Sequence, residues 1–339
     1  MNGAKRSFKL STFLISTGIQ SFDELLGGGV ASPSIILIEP DFHQTYSKLL
    51  LNLFTAEGIL SGHAIFYGAT ETFDNLLCKL PDITTSGDES KEEIPDLRIA
   101  WRYQNLSNVE NPKPPISNFG HQFNLSLPLG AVTGITEKKI CSFCFQPNSK
   151  KPLQVNLSDL SQELIKFQSS SKVASSLQRI VLNSCGSPLW GYCKDTQQFY
   201  RTMLHFFATL RLIVQNSSCT VFVTLPTTKL PPGLFTRISH YCDYVFRVQG
   251  LGDQIKANPV YSEYDGLLAV MRIPWMLGGN TLEPAIRPST LDWCFKIKRH
   301  QLTMQLLHLP PCLSETVSRS SASETIFNCS KLHEKQLDF

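Results

Sequence analysis

Charge is scarce in this sequence. Charged residues make up 17% of the 339, and the formal net charge is only +3. Any contact with nucleic acid must therefore come from a local patch and not from overall basicity. No apolar run is long enough to span a bilayer, and no secretory leader pattern opens the chain. Ten cysteines are present, but they stand mostly singly, which points to an intracellular protein with reduced thiols. The one close pair is Cys141-x-x-Cys144, flanked by Lys138, Lys139, Lys150 and Lys151. A structural zinc site needs four ligands, and neither a second C-x-x-C nor a matching histidine pair lies nearby. A thioredoxin-like role needs the pair at a helix start after a strand, which these flanks do not offer. We read two incidental cysteines in a loop, with no metal site.

What the sequence does have is a large apolar fraction, 42%, enough for a sizeable core in one α/β unit. Its organising stretch is residues 16–68. Residues 34–38 form an Ile-rich run that reads as a strand buried on both faces. A tight connection follows, then apolar residues at helical spacing over 48–59 (Leu49, Leu50, Leu53, Ala56), and a second strand over 64–67. This is a βαβ unit. In P-loop ATPases the first turn of such a unit cradles phosphate with G-x-x-x-x-G-K-[ST]. There the glycines let backbone N–H groups approach, the lysine meets the terminal phosphates and the hydroxyl meets magnesium. Here the eight equivalent residues are Glu39, Pro40, Asp41, Phe42, His43, Gln44, Thr45 and Tyr46. The length fits, but every diagnostic residue is missing. Pro40 removes an N–H, and Glu39 and Asp41 place negative charge where a polyphosphate would sit. Lys48 lies too far along the helix to be a register slip.

The lead-in, Thr17-Gly18-Ile19 and then Phe22 to the triple glycine 27–29, resembles the segment before the P-loop in RecA-like ATPases. Further on, residues 179–184 read as a second buried strand. In ATPases of this class that strand ends in an aspartate that supports magnesium; here the residue is Asn183. Both halves of the metal–phosphate machinery are thus absent, and we assign no catalytic residue and no cofactor.

The remaining elements follow by pattern. Helices are expected at 73–80, at 157–167 with Ser158 and Asp159 as caps, at 195–214 and at 234–240. Strands are expected at 97–103, 220–225, 243–248 and 266–273. A C-terminal antiparallel hairpin pairs 293–297 with 302–306 and carries Lys296, Lys298, Arg299 and His300 at its tip. Residues 1–10 read as a flexible basic arm, 82–95 as a flexible acidic insertion, 108–130 as an irregular loop and 314–339 as a disordered Ser-rich tail. Residues 11–313 then form one RecA-like domain: an α/β core with a mainly parallel central sheet flanked by helices.

Taken in order, the degenerate slot, LRIAWRY, RIVLNSCGSPLW, VFVTLP, the YDGLL strand, FKIKRHQL and LHLPP resemble the family of fourth subunits of the Elongator complex over residues 10–313. That resemblance implies a non-catalytic subunit of a hetero-hexameric ring with the fifth and sixth Elongator subunits. It further implies that the ring binds transfer RNA, assists the catalytic subcomplex that modifies wobble uridines, and resides in cytoplasm and nucleus. Absence of the phosphate motif is characteristic of that family. The alternatives are an active RecA-like ATPase of recombinase or clock type, and a purely structural adaptor without RNA contact. By analogy with RecA-like rings, whose later loops face the central channel, Lys229 and Arg237 are the candidate RNA contacts, each directed at phosphate.

Overall fold

The computed structural model describes residues 3–7, 12–84, 119–129, 140–146, 151–170, 176–215, 217–228, 230–256, 258, 260–274 and 288–307. All of them belong to one compact unit, Met1–Leu307. The strand expected at 97–103 and the tail expected at 314–339 lie outside the described residues, as do Lys138, Lys139 and Lys150.

The chain begins with a small antiparallel sheet of β1 (Ala4–Ser7), β2 (Thr12–Ile15) and β3 (Val30–Ser32), with α1 (Gln20–Leu25) between the last two strands. This departs from the expected loose arm. Ala4 to Ser7 pair in register with Ile15 to Thr12, so the backbone of part of the basic segment is satisfied by a ladder. The triple glycine then turns α1 into β3. The Asp23 carbonyl accepts from the N–H groups of Gly28 and Gly29 at 2.7 and 3.1 Å. Gly29 adopts φ +122°, and a Cβ there would lie 2.6 Å from the Ile15 carbonyl oxygen; only glycine fits that turn.

The central sheet contains β4 (Ser34–Glu39), β5 (Ala64–Ala69), β8 (Ile140–Cys144), β9 (Gln178–Leu182), β10 (Cys219–Thr224) and β11 (Tyr244–Gly250), all parallel. Three antiparallel strands extend it: β12 (Gly266–Arg272), β13 (Asp292–Lys298) and β14 (Gln301–Leu306). The order is β14-β13-β12-β11-β4-β10-β9-β5-β8, with β4 central and its C-terminal end opening onto the loops of its neighbours. The remaining strands, β6 (Pro81–Ile83) and β7 (Phe123–Pro128), make a separate antiparallel pair. β6 therefore opens the stretch expected to be an insertion, and β7 replaces part of the expected irregular loop. Prolines and glycines hid β7, whose register is carried by neighbours distant in sequence.

Alternation in β4 sorts the core. Ile36 and Ile38 join Leu50, Phe54, Val181, Phe222 and Phe246 under α2 (Thr45–Leu60). Ile35 and Leu37 join Ile180, Leu182, Val221 and Val223 under α4 (Leu153–Ser169) and α5 (Thr196–Gln215). The apolar stripe expected along α5 is present, with Met203, Phe206, Phe207 and Leu210 buried. α4 starts a full turn earlier than expected, after Pro152, because Leu153 and Asn156 are buried there and the Asn156 amide donates to the Trp190 carbonyl at 2.7 Å. Ser158 and Asp159 lie inside the helix and cap nothing. Two short helices, α3 (Phe73–Leu77) and α6 (Leu234–Ser239), follow β5 and β10; a third, α7 (Asp253–Lys256), follows β11. At the C-terminal end, the β13–β14 hairpin forms as expected, turning through Arg299 and His300 at φ 48° and 61°. It locks to the N-terminal segment through Trp293 edge-on to Phe22 and through the Met304 N–H donating to the Ser21 hydroxyl at 2.8 Å. Among the described residues no helix is long and apolar enough to cross a membrane.

Behind α2 lies a buried cluster of charge. The Glu57 carboxylate accepts from the His121 ring Nδ1 and backbone N–H, each at 3.0 Å, and from the Ser61 hydroxyl at 3.1 Å. Arg179, on β9 and fully buried, donates to the His63 ring at 3.0 Å and the Phe54 carbonyl at 2.9 Å, with its guanidinium over the Phe54 ring. Asp23 accepts from the Ser16 hydroxyl and from the Thr17 backbone and hydroxyl. Burial pushes Asp23 up to about 6. Burial would also raise Glu57, but the His121 hydrogen bond and the charges of His121 and Arg179 overcome it and hold Glu57 down at about 2. In turn the hydrogen bond that the His121 ring donates to Glu57 raises His121.

These shifts give stability a maximum on the acid side of neutrality. Glu57 contributes fully above its ordinary value of 4.5, and that contribution is lost as pH falls towards 2. Asp23 contributes fully below 3.8 and loses the contribution as pH rises through about 6. His121, present below its ordinary 6.5, acts in the same sense as Asp23. Thermal denaturation should therefore give a higher midpoint at pH 5 than at pH 8; a midpoint rising steadily over that range would contradict the assignment. Replacing Glu57 by Gln leaves buried Arg179 and partly buried His121 without their carboxylate and should lower the unfolding free energy in urea titrations by about 1–3 kcal/mol.

Candidate functional site

The C-terminal edge of the parallel strands is where α/β folds bind ligands, and here it is built from the ends of β4, β9, β10 and β11. Asp41 follows β4 by two residues and is buried. Its carboxylate accepts from the Thr45 N–H at 2.9 Å, the Ser47 N–H at 3.0 Å and the Ser47 hydroxyl at 2.9 Å. Those N–H groups belong to the first turn of α2, where a helix has donors without intrahelical partners and a partial positive charge. A phosphate bound in this fold would use the same donors. The chain thus supplies its own anion at the phosphate position.

The rest of the slot is closed in the same way. Gln44, at the motif's second glycine, keeps the left-handed backbone with φ 56°, and its side-chain carbonyl accepts from the Ser184 hydroxyl at 2.8 Å. Asn183, at the end of β9, accepts from the Thr224 hydroxyl at 3.1 Å and presents an amide where magnesium chemistry needs a carboxylate. Glu39 turns sideways, accepting from Arg247 of β11 at 2.7 Å and from the Thr227 hydroxyl at 2.8 Å, and so ties three strand ends together. Lys48 pairs with Glu71, beyond β5, at 2.8 Å, and Lys79 reaches the same carboxylate. Partial burial would raise Glu71, but the two lysines hold it below the ordinary carboxylate range. Lys48 is therefore already engaged by a carboxylate of the chain itself. The residues present do not fit a magnesium nucleotide.

Of the two candidate RNA contacts, Lys229 lies outside the described residues. Arg237 sits in α6 with its guanidinium over the Tyr200 ring, 5.6 Å from the centroid. The Cys141–Cys144 pair lies on β8, an element not foreseen. Three residues apart on a strand, the two side chains point to opposite faces and cannot meet. Both are exposed, and partial burial and Glu163 raise the Cys141 thiol. Among the described residues no group of three or more His, Cys, Asp or Glu side chains is placed to hold a metal. At the basic hairpin tip, His300 is tied down by the Ser126 hydroxyl at 2.6 Å.

Sequence reasoning had read Asp41 as a repulsive charge, when its larger role is a helix cap. The sequence pattern hid this, because Asp41 stands three residues before the N-cap position, Gln44, where a capping side chain is expected. It had no signal for Glu71 or for the Glu57–His121 pair, which form across long stretches of chain.

Fold and slot together define a RecA-like α/β protein whose phosphate position is filled by its own carboxylate. A family model described as PAXNEB protein matches residues 1–339, and the chain belongs to that family. Relatives named Elongator complex protein 4 are similar along almost its whole length. That of Xenopus laevis is 32% identical, over 99% of this chain and 92% of its own. That of Danio rerio is 31% identical, over 96% of this chain and 89% of its own. The human protein is 31% identical, over 97% and 84%. The family resemblance read from the motifs is borne out.

Asp41→Ala removes three hydrogen bonds to the start of α2 and should lower the unfolding free energy by about 1–2 kcal/mol. Chemical denaturation of the purified variant checks this, and an unchanged midpoint would show that the cap is not stabilising.

Proposed function

We propose that the chain is a non-catalytic, RecA-like subunit of the Elongator complex. In this reading it assembles with the fifth and sixth Elongator subunits into a hetero-hexameric ring in cytoplasm and nucleus. The ring binds transfer RNA and supports the catalytic subcomplex that modifies wobble uridines. The observation that carries the reading is the Asp41 carboxylate on the N–H groups of Thr45 and Ser47, in a chain similar throughout to proteins named Elongator complex protein 4. Phosphoryl transfer rests on positioning and charge neutralisation; here the donors are taken, Lys48 is paired and Asn183 carries no charge. This favours an accessory role over an active RecA-like ATPase. Lys229 and Arg237 remain the proposed phosphate contacts of the RNA.

Co-expression with the fifth and sixth subunits should yield a hexamer by native mass, and the isolated chain should show no steady ATP turnover. Hydrolysis that follows the purified chain and is lost on Asn183→Ala, or a chain that stays monomeric beside both partners, would overturn the reading.

A further inference from the structure

Residues 119–123 run between α1 and α2 and lead directly into β7, and polar contacts hold them there. On the α2 side the Glu57 carboxylate accepts from the Gly120 N–H at 3.4 Å and from the His121 N–H and ring Nδ1 at 3.0 Å each. On the α1 side the Gly120 carbonyl accepts from the Gln20 amide at 2.7 Å, and the Gln122 amide donates to the Gln20 side-chain carbonyl at 3.1 Å. Lys5 of β1 lies over the Phe119 ring, 4.1 Å from its centroid. Gly120, at φ +73°, sits between two carboxylates. Its N–H faces Glu57, while a Cβ there would lie 3.5 Å from the Ser16 hydroxyl and 3.8 Å from the Asp23 carboxylate.

The charges around His121 come from every element packed against it. Glu57 of α2 accepts from its ring, and Arg179 of β9 repels its charge. His63, between α2 and β5, is engaged by Arg179. Glu24 of α1 shares with His121 a recess of about 210 Å³, which β14 borders with Gln301 and Thr303. Asp23 of α1 is close enough to Glu57 for the two charges to repel.

Two groups of this cluster change charge in the same sense as pH rises. Asp23, pushed up by burial to about 6, goes from neutral to negative. His121, raised by its hydrogen bond to Glu57, goes from positive to neutral. At low pH the segment brings a cation to one buried carboxylate. At higher pH it lies between two carboxylates with its own cation gone, and buried charge without a partner is costly.

We propose that residues 119–123 are a proton-operated strap, closed on Glu57 while His121 is protonated and Asp23 neutral, and opening locally as both lose their protons. The strap continues into β7, where the Leu125 N–H donates to the His300 carbonyl at 2.8 Å and the Ser126 hydroxyl meets the His300 ring at 2.6 Å. Opening therefore also loosens the grip of β7 on the basic turn between β13 and β14. The device is a property of this chain by itself and does not depend on the ring reading.

Amide hydrogen exchange of the purified full chain between pH 5 and pH 8 tests it, with each rate divided by that of an unstructured peptide at the same pH. Closing the strap takes up protons, so protection at Gly120, His121 and Leu125 should fall about tenfold or more from pH 5 to pH 8. It should also stay below that of α5 at every pH, the mark of a local opening. His121→Gln keeps a donor for Glu57 without titrating, and Asp23→Asn removes the second carboxylate; the double variant should flatten the fall. Equal strap protection at pH 5 and pH 8 in wild type would overturn the proposal. So would strap amides as protected as those of α5, because the segment would then open only with the whole fold. A fall of the same size in the double variant would overturn the assignment to His121 and Asp23. Constant protection at Leu125 beside a fall at Gly120 and His121 would overturn the coupling to the hairpin. If the double variant does not fold, the wild-type comparison with α5 decides.

Discussion

A carboxylate at the start of a helix decides what this fold can do. The first turn of α2 offers N–H groups that need an acceptor. In a nucleotide-binding relative of the fold, a phosphate meets that need. Here Asp41 meets it from within the chain. The slot is therefore ordered without a ligand, and its neighbours have been released for other bonds. Glu39 links β4 to β11 and to the loop after β10, and Gln44 reaches Ser184 beyond β9. The edge of the sheet that would open for a ligand is instead laced together.

The second half of the structure's logic lies on the other side of α2. Glu57, His121, Arg179, His63 and Asp23 place charge and hydrogen bonds in the interior, where an unpaired ion is expensive. Asp23, Glu57, His121 and Arg179 come from segments far apart in the chain, so the cluster couples α1, α2, the segment before β7 and β9. Apolar packing alone is tolerant of small shifts; a hydrogen-bonded carboxylate is not.

How much of this was legible beforehand depended on the range of the interaction. The strands β4, β5, β9, β10 and β11 and the helices α2 and α5 announced themselves through short apolar runs and helical periodicity. The lost phosphate motif could be read residue by residue, and the C-terminal hairpin showed its alternation. What escaped were elements whose partners are remote: β1 and β7, held by ladders to β2 and β6, and β8, five residues with no strong pattern that owe their conformation to β5. The first turn of α4 was missed because Leu153 and Asn156 are anchored by contacts around Trp190. At the slot, the sequence made the presence of negative charge plain, but only geometry shows that one carboxylate caps the helix and the other is an ion-pair partner.

The central claim is that Asp41 stands where a phosphate would. A crystal of the protein grown with magnesium ATP at millimolar concentration tests it most directly, because the density at the start of α2 can contain only one of the two anions. The account predicts the Asp41 carboxylate bonded to the Thr45 and Ser47 N–H groups and no phosphate beside them. Phosphate density within hydrogen-bond distance of those two nitrogens, with Asp41 swung away, would contradict it.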